Sequence, residues 1–124
     1  MHKPFSRSER VAGLLRRQLP VLLRDTIKDP RVAQCTVTDV VVSRDLSYAE
    51  VYVMSSDSSH SVELLKGLKS ATGYLHRELK AQLTMRAVPE LRFHYDRAAD
   101  DGARIDMLLN QANAEAAAQE KHES

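Results

Sequence analysis

The feature that most constrains this chain is a helical stripe of apolar residues in segment 62–85, interrupted at its centre by a glycine. On each side of Gly73 the apolar side chains recur every three or four residues, which predicts two amphipathic helices. These positions are Leu64, Leu65, Leu68 and Ala71 before the glycine, and Leu75, Leu79 and Leu83 after it. A glycine inside a helix costs about 1 kcal/mol relative to alanine. The segment therefore predicts a structural kink, formed by Ser70, Ala71, Thr72 and Gly73.

Basic residues flank this predicted kink on both sides. They are Lys66 and Lys69 before it, and Arg77 and Lys80 after it. A helix that restarts at Gly73 would present free backbone N–H groups and a positive dipole end, an arrangement that suits a phosphate. The alternative interpretation of this stretch is a kinked helix pair with solvated lysines.

Size and composition predict one soluble domain. The chain has 124 residues, of which 43% are hydrophobic and 28% are charged, as in ordinary globular proteins. Its single cysteine, Cys35, excludes an intramolecular disulfide and fits a reducing compartment. No window approaches the roughly 20 apolar residues of a membrane span, and the N-terminus lacks the apolar region of a signal peptide. These observations predict a cytoplasmic protein.

The charges are arranged in blocks that the formal net charge of +1 conceals. Residues 1–30 and 66–97 each carry seven Lys/Arg against three Asp/Glu, a net charge of +4 for each block. Residues 31–65 have a net charge of −3, and residues 98–124 have a net charge of −4. Local patches determine which partners are attracted. Two basic helical regions therefore favour a polyanionic partner, unless the blocks only pair with one another.

The N-terminal segment 7–27 predicts a long helix with an apolar stripe on one side and arginines on the other. Arg10, Arg17 and Arg24 recur every seven residues on the side opposite the apolar stripe. They either contact phosphates or solubilise the helix. Pro20 lies inside the pattern and removes one backbone donor, and we expect one bent helix rather than two.

Three segments predict strands. Residues 32–43 are rich in β-branched side chains, but their alternation changes parity, which predicts either a bulge near Asp39 or a strand buried on both sides. Residues 48–54 alternate cleanly and form a hairpin with the preceding strand, and residues 91–96 alternate likewise. The predicted order is helix, strand, strand, helix, helix, strand, followed by a short helix at 104–109. This is an α+β domain over residues 1–109, with a flexible tail at 110–124.

The sequence offers no catalytic constellation. The five histidines are scattered, and no spacing of histidine, cysteine and carboxylate predicts a metal site. The acids Asp57, Asp100 and Asp101 are interpreted as solvated loop residues, and Cys35 as a core residue. We therefore predict a protein that is not an enzyme and has neither a metal nor a cofactor.

Two classes of function remain from the residues alone. In the first, the basic helices form an RNA-binding surface. In the second, the chain is a protein-interaction module whose sheet face, with Tyr48 and Tyr52, docks a partner. Their salt dependence separates them, because only phosphate contacts release counterions.

Six short stretches, taken in this order, carry a resemblance to a known family: residues 10–11, 28–32, 36–40, 43–53, 89–96 and 102–109. Over about residues 4–109 the chain resembles the bacterial ribosome-binding factor A family. The resemblance implies a KH-like fold of type II topology, with a three-stranded sheet covered by helices on one face. Segment 70–73 matches the alanine-centred kink that replaces the usual G-x-x-G motif in this family, whereas Pro20 departs from the family pattern.

The resemblance also implies a function. Family members bind the immature 30S subunit and its 16S rRNA, assist late maturation and 5′-end processing without catalysing it, and matter most in the cold. It implies a bacterial cytoplasmic monomer that does not bind membranes, with an assembly GTPase as a further candidate partner. On this basis we predict that the residues in contact with the rRNA backbone are Arg10, Arg17, Lys66, Lys69, Gly73, Arg77 and Lys80.

Overall fold

Three helices and a three-stranded sheet make up the structure, a computed structural model that describes residues 6–83 and 87–123. The elements follow the order α1 (Arg7–Asp25), β1 (Cys35–Val42), β2 (Tyr48–Ser55), α2 (Ser61–Gln82), β3 (Glu90–Tyr95) and α3 (Arg97–Glu123). The predicted α+β class is confirmed. The predicted pair of central helices is wrong, because one continuous helix takes its place.

Helix α1 is a single helix despite Pro20. The hydroxyl of Ser6 accepts a hydrogen bond from the backbone N–H of Glu9 at 3.2 Å, which caps the first turn. The helix continues through Pro20 to Asp25. The prediction of one helix is therefore confirmed, with its end two residues earlier than expected.

The sheet has the strand order β1-β2-β3, with β1 antiparallel and β3 parallel to β2. The register shifts between Val37, which pairs with Val53, and Asp39, which pairs with Tyr52. This irregularity confirms the predicted bulge and explains the change of parity in β1. Strands β1 and β3 are the two edges of the sheet.

One face of the sheet carries the core. Alternate residues of β2 are fully buried, and they join the apolar stripes of α1 and α2 in one cluster. Helix α1 packs on β1, while α2 packs on β3 and also contacts β2. The opposite face of the sheet carries exposed and half-buried side chains, among them Val41, Tyr48, Tyr52 and His94.

Helix α2 passes through the predicted kink without a break. The hydroxyls of Ser70 and Thr72 donate to the carbonyls of Lys66 and Leu68 at 3.1 and 3.0 Å, so both stay within the helical pattern. Gly73 does not have a positive φ. The buried positions 64, 68, 75 and 79 form one uninterrupted stripe across the glycine. Hydroxyl back-bonds of this type often bend helices, so a bend at 70–73 stays a prediction. Residues 84–86, at the predicted exit of this helix, lie outside the described residues.

Helix α3 is longer than the predicted short helix at 104–109. It starts at Arg97, because the Asp96 carboxylate accepts a hydrogen bond from the Ala99 N–H at 3.0 Å. It continues to Glu123 through an alanine-rich stretch, and alanine has the highest intrinsic helix propensity. The flexibility of residues 110–124 stays a prediction. Among the described helices, none has both the length and the apolar character to cross a membrane.

The cap of α3 leads to a prediction about acid stability. The hydroxyl of Thr38 donates to Asp96 at 2.6 Å, and this bond and the Ala99 N–H lower the pKa of the Asp96 carboxyl. A lowered folded-state pKa stabilises the fold above the unfolded-state pKa, and that contribution is lost as the pH falls through the folded-state value. Asp96→Ala is expected to lower the free energy of unfolding by about 0.5–2 kcal/mol at pH 7, with a smaller loss relative to wild type below pH 4.

Urea denaturation between pH 3 and pH 7 measures this difference. The matched control is Asp101→Ala, an exposed residue of the same helix, for which a change within about 0.5 kcal/mol is expected. Equal effects of both variants at pH 7 would show that the Asp96 cap does not stabilise the fold.

Candidate functional site

The basic residues of α2 form one continuous stripe. Lys66, Lys69, Gly73, Arg77 and Lys80 follow one another at intervals of three or four residues, so they share one side of the helix. All five are exposed, and they lie opposite the buried leucines of α2. At 1.5 Å per residue the stripe is about 21 Å long. The unbroken helix therefore brings together all the sequence-predicted residues of this segment.

The arginines of α1 form a second stripe. Arg10, Arg17 and Arg24 are exposed and lie opposite the buried face of α1. Helices α1 and α2 contact each other and bury their apolar stripes against the same side of the sheet, so both basic stripes point away from it. Arg24 donates a hydrogen bond to Asp25 at 3.0 Å, and this contact compensates its charge.

The basic residues differ in how far nearby carboxylates compensate them. The ammonium of Lys66 lies 3.8 Å from Glu63. For Lys69, Arg77, Lys80, Arg10 and Arg17, no carboxylate of the described residues lies within ion-pair distance. These five side chains therefore present the uncompensated positive charge of the two stripes.

A groove of about 260 Å³ lies between α2 and the edge strand β3. Lys69 and Arg92 contribute its basic groups, and Thr72 adds a hydroxyl. The apolar lining consists of Leu65, Leu91 and Phe93. The groove combines an apolar surface with the positive charge of Lys69, since Arg92 is paired with Glu50, and this combination suits the mixed chemistry of a nucleotide.

Arg92 is the residue of this groove that the sequence did not predict. Its alternation in β3 placed it only on the polar side of a strand. The guanidinium lies 3.6 Å from the centre of the Tyr48 ring and 3.3 Å from a carboxylate oxygen of Glu50. No local sequence signal reveals that β3 is the edge strand next to α2, because that position depends on the strand order.

Gly73 lies in the middle of the α2 stripe, but not as the start of a helix. Since α2 is continuous through residue 73, the predicted free N–H groups and positive dipole end are absent at this position. A Cβ atom placed there would meet nothing within 4 Å. The phosphate cradle proposed for Gly73 is therefore wrong in its mechanism, although the exposed backbone leaves room for a close approach by a partner.

The outer face of the sheet carries the aromatic side chains of the alternative, protein-docking hypothesis. Tyr48 is exposed beneath Arg92, and the Tyr52 ring lies 5.3 Å from the His94 ring. His94 and Arg92 both contact Glu50. Internal contacts therefore join the side chains of this face and compensate their charges, in contrast to the five uncompensated side chains of the α1 and α2 stripes.

Cys35 is a half-buried residue packed against the core. Burial raises the pKa of its thiol to about 12, so the thiol is protonated at neutral pH and is a poor nucleophile. Within the part of the chain that the structure describes, no three His, Cys, Asp or Glu side chains form a group that could hold a metal ion.

Comparisons with known proteins agree on one family. The family model of ribosome-binding factor A matches residues 7–109. Ribosome-binding factor A of an Azoarcus species is 44% identical over 113 residues, which cover 90% of each chain. The protein of that name in Thiobacillus denitrificans is 41% identical over 125 residues, covering 99% of this chain and 100% of the relative.

Solved structures show the same likeness. The crystal structure of ribosome-binding factor A from Thermus thermophilus matches with a TM-score of 0.66 and 30% identity, over 73% of this chain and 97% of that chain. A homology model of the Thermus thermophilus protein, fitted into the cryo-EM map of a 30S–RbfA complex, matches with a TM-score of 0.53 and 33% identity. It covers 68% of this chain and 93% of that one.

Proposed function

This chain belongs to the ribosome-binding factor A family, and from that premise we propose that it binds the free small ribosomal subunit through the 16S rRNA. The observation that carries the proposal is the set of uncompensated basic side chains on the continuous helix α2, Lys69, Arg77 and Lys80, beside the groove at β3. The fitted 30S–RbfA complex of Thermus thermophilus supports it, because that protein shares the fold and 33% of the aligned residues.

The rRNA contacts are proposed to be mainly to the backbone. Lysine and arginine side chains on a rigid helix match phosphates along a surface, which positions a protein by shape without reading much sequence. Arg10 and Arg17 on α1 would extend the contact beyond α2. Gly73 would allow a sugar–phosphate strand to approach the helix closely, because the added Cβ of any other residue points into the open space in front of it.

Binding of this kind can assist assembly without a reaction step. A protein that binds one rRNA conformer more tightly than another shifts the population toward the conformer it prefers. The proposal therefore requires no catalytic group. We propose that the favoured conformer is a late state of the small subunit whose rRNA 5′ end becomes accessible for processing.

A larger effect of the protein on subunit assembly in the cold follows from the same mechanism, because misfolded rRNA refolds more slowly at low temperature. A cytoplasmic site of action and a monomeric state, with an assembly GTPase as a second partner, belong to the same proposal.

Co-sedimentation with free small subunits and with assembled ribosomes tests the proposal. At physiological salt the protein is expected to sediment with free small subunits and to bind assembled ribosomes more weakly. Equal binding to both particles, or binding to neither, would refute an assembly role.

The salt dependence of the same binding tests the chemistry. Five uncompensated basic side chains, each on one phosphate of a single strand, predict a log–log slope of about −3.5. The alternative, docking of a protein through Tyr48 and Tyr52, predicts little response to salt. A slope close to zero would favour that alternative.

A further inference from the structure

Helix α3 carries an apolar stripe that the fold leaves uncovered. Every residue from 103 to 118 is exposed. Ile105, Leu108 and Leu109 are 57%, 65% and 57% exposed, although such side chains are normally buried. Their spacing places them on one side of the helix, and Ala112 and Ala116 continue that side. The spacing of three, four and seven residues is the pattern of a helix that inserts into a groove of its partner.

The base of α3 is fixed while the rest projects. Thr38 on β1 donates to Asp96 at 2.6 Å, and the half-exposed Arg104 contacts both Ser58 and Asp100. Asp100 is buried. The remaining 19 residues of the helix, at 1.5 Å each, extend about 28 Å from this base. A helix that is formed and anchored before binding loses less conformational entropy when it docks.

The charge of this segment indicates the chemistry of the partner. Residues 98–124 have a net charge of −4, in contrast to the basic α1 and α2 regions. Asp101, Asp106 and Glu115 lie around the apolar stripe. A phosphate backbone or an anionic lipid surface would repel this helix. A second copy of α3 is also a poor partner, because the apolar stripe is far shorter than the three or four heptads of a stable coiled coil.

We propose that the Ile105–Leu108–Leu109 stripe docks into an apolar groove, rimmed by lysine and arginine, on a protein of the small ribosomal subunit. The inference rests on the proposed function, since a ribosomal particle offers both RNA and basic proteins. Two different regions of the molecule then contact two different components of the particle. The uncompensated basic side chains of α1 and α2 face rRNA, and the acidic, apolar helix α3 faces protein.

The test compares the double variant Ile105→Ser/Leu109→Ser with Met107→Ser, a control on the opposite side of the same helix. Met107 is 62% exposed, so the control removes an equally accessible apolar side chain. The double variant is expected to bind intact small subunits at least tenfold more weakly, and deproteinised 16S rRNA with unchanged affinity. Met107→Ser is expected to bind both as the wild type does. A photo-crosslinker at position 109 is expected to form an adduct with a ribosomal protein.

Several results would overturn the proposal. An equal loss on subunits and on deproteinised rRNA, or a crosslink to rRNA, would place α3 on RNA. A dimer by analytical ultracentrifugation that the double variant abolishes would identify a second copy as the partner. Unchanged binding of the double variant to subunits would show that the stripe does not dock there. Failure of the wild type itself to bind subunits would overturn the proposed function as well, and this outcome is distinct from the others.

Discussion

Replacing Gly67 with alanine is expected to destabilise the protein, although alanine is the better helix former. Gly67 is a buried residue of α2, at the point where the helix crosses the short 3-10 turn at Pro30–Val32. A Cβ atom at position 67 would lie 2.8 Å from Cγ2 of Val32 and 3.0 Å from Cβ of Arg31. Neither atom belongs to the far end of a flexible chain, since Val32 is buried and Arg31 Cβ is attached to the backbone. The helix and the turn must therefore separate.

Overpacking of this kind costs about 1–3 kcal/mol, whereas the gain in helix propensity is at most about 1 kcal/mol. The clash is expected to exceed the gain, so the midpoint of urea denaturation falls. A midpoint equal to or above that of the wild type would show that the turn at Pro30–Val32 relaxes at no cost.

Gly73→Ala provides the matched control in the same helix. Gly73 is exposed, and an added Cβ meets no atom within 4 Å. Substitution there is expected to raise the free energy of unfolding by about 0.4–1 kcal/mol, because alanine lowers the entropy of the unfolded chain and favours the helix. Opposite signs at positions 67 and 73 would confirm that close packing, rather than the helical position, determines the role of each glycine. A loss of stability at position 73 would indicate a backbone conformation there that alanine cannot adopt.

The two glycines show where sequence reasoning about this fold stops. The kink was predicted at Gly73 because a glycine is costly inside a helix, but α2 is continuous there and the hydroxyls of Ser70 and Thr72 bond back to it. The close contact is at Gly67, and it joins residues that are 35 positions apart in the chain. Helical period and propensity are local properties, so they cannot reveal which glycine a distant segment packs against.

The sequence patterns of the strands predicted the structure better than the glycine positions did. The alternation of burial along β2 and the parity change at Asp39 each follow from which side chains face the core, and both are confirmed. The predicted end of α3, at residue 109, was wrong because burial does not determine where this helix ends. Its apolar stripe ends near Ala112, so a pattern of burial predicts no helix beyond it, but alanine-rich sequence forms a helix from propensity alone.

The candidate site was predictable to the extent that it lies on helices. A helical period of basic residues determines a stripe, and both stripes were read from the sequence with their members correctly exposed. Arg92 and the groove at β3 were not predictable, because they depend on the strand order and on the position of α2 beside an edge. The neutralisation of Arg24 by Asp25 and the pairing of Lys66 with Glu63 also required the structure.

The double variant Arg77→Ala/Lys80→Ala is expected to weaken binding to free small subunits by about tenfold or more at physiological salt. Both side chains are exposed on the α2 stripe, and neither forms an ion pair with a carboxylate of the described residues. Removing two phosphate contacts should reduce the magnitude of the log–log salt slope by about 1.4–1.8. The free energy of unfolding should change by less than about 0.5 kcal/mol per site, because exposed helical positions tolerate alanine.

The matched control is Arg24→Ala/Arg44→Ala, which removes the same two units of positive charge from other positions. Arg24 is already compensated by Asp25, and Arg44 lies exposed in the turn between β1 and β2. If net charge governed binding, both double variants would lose affinity equally, because each has a formal net charge of −1 in place of +1. If the α2 stripe is the contact surface, only Arg77→Ala/Lys80→Ala loses affinity and salt dependence. Wild-type binding by that variant, measured by co-sedimentation at physiological salt, would mean that the rRNA-binding surface lies elsewhere on the molecule.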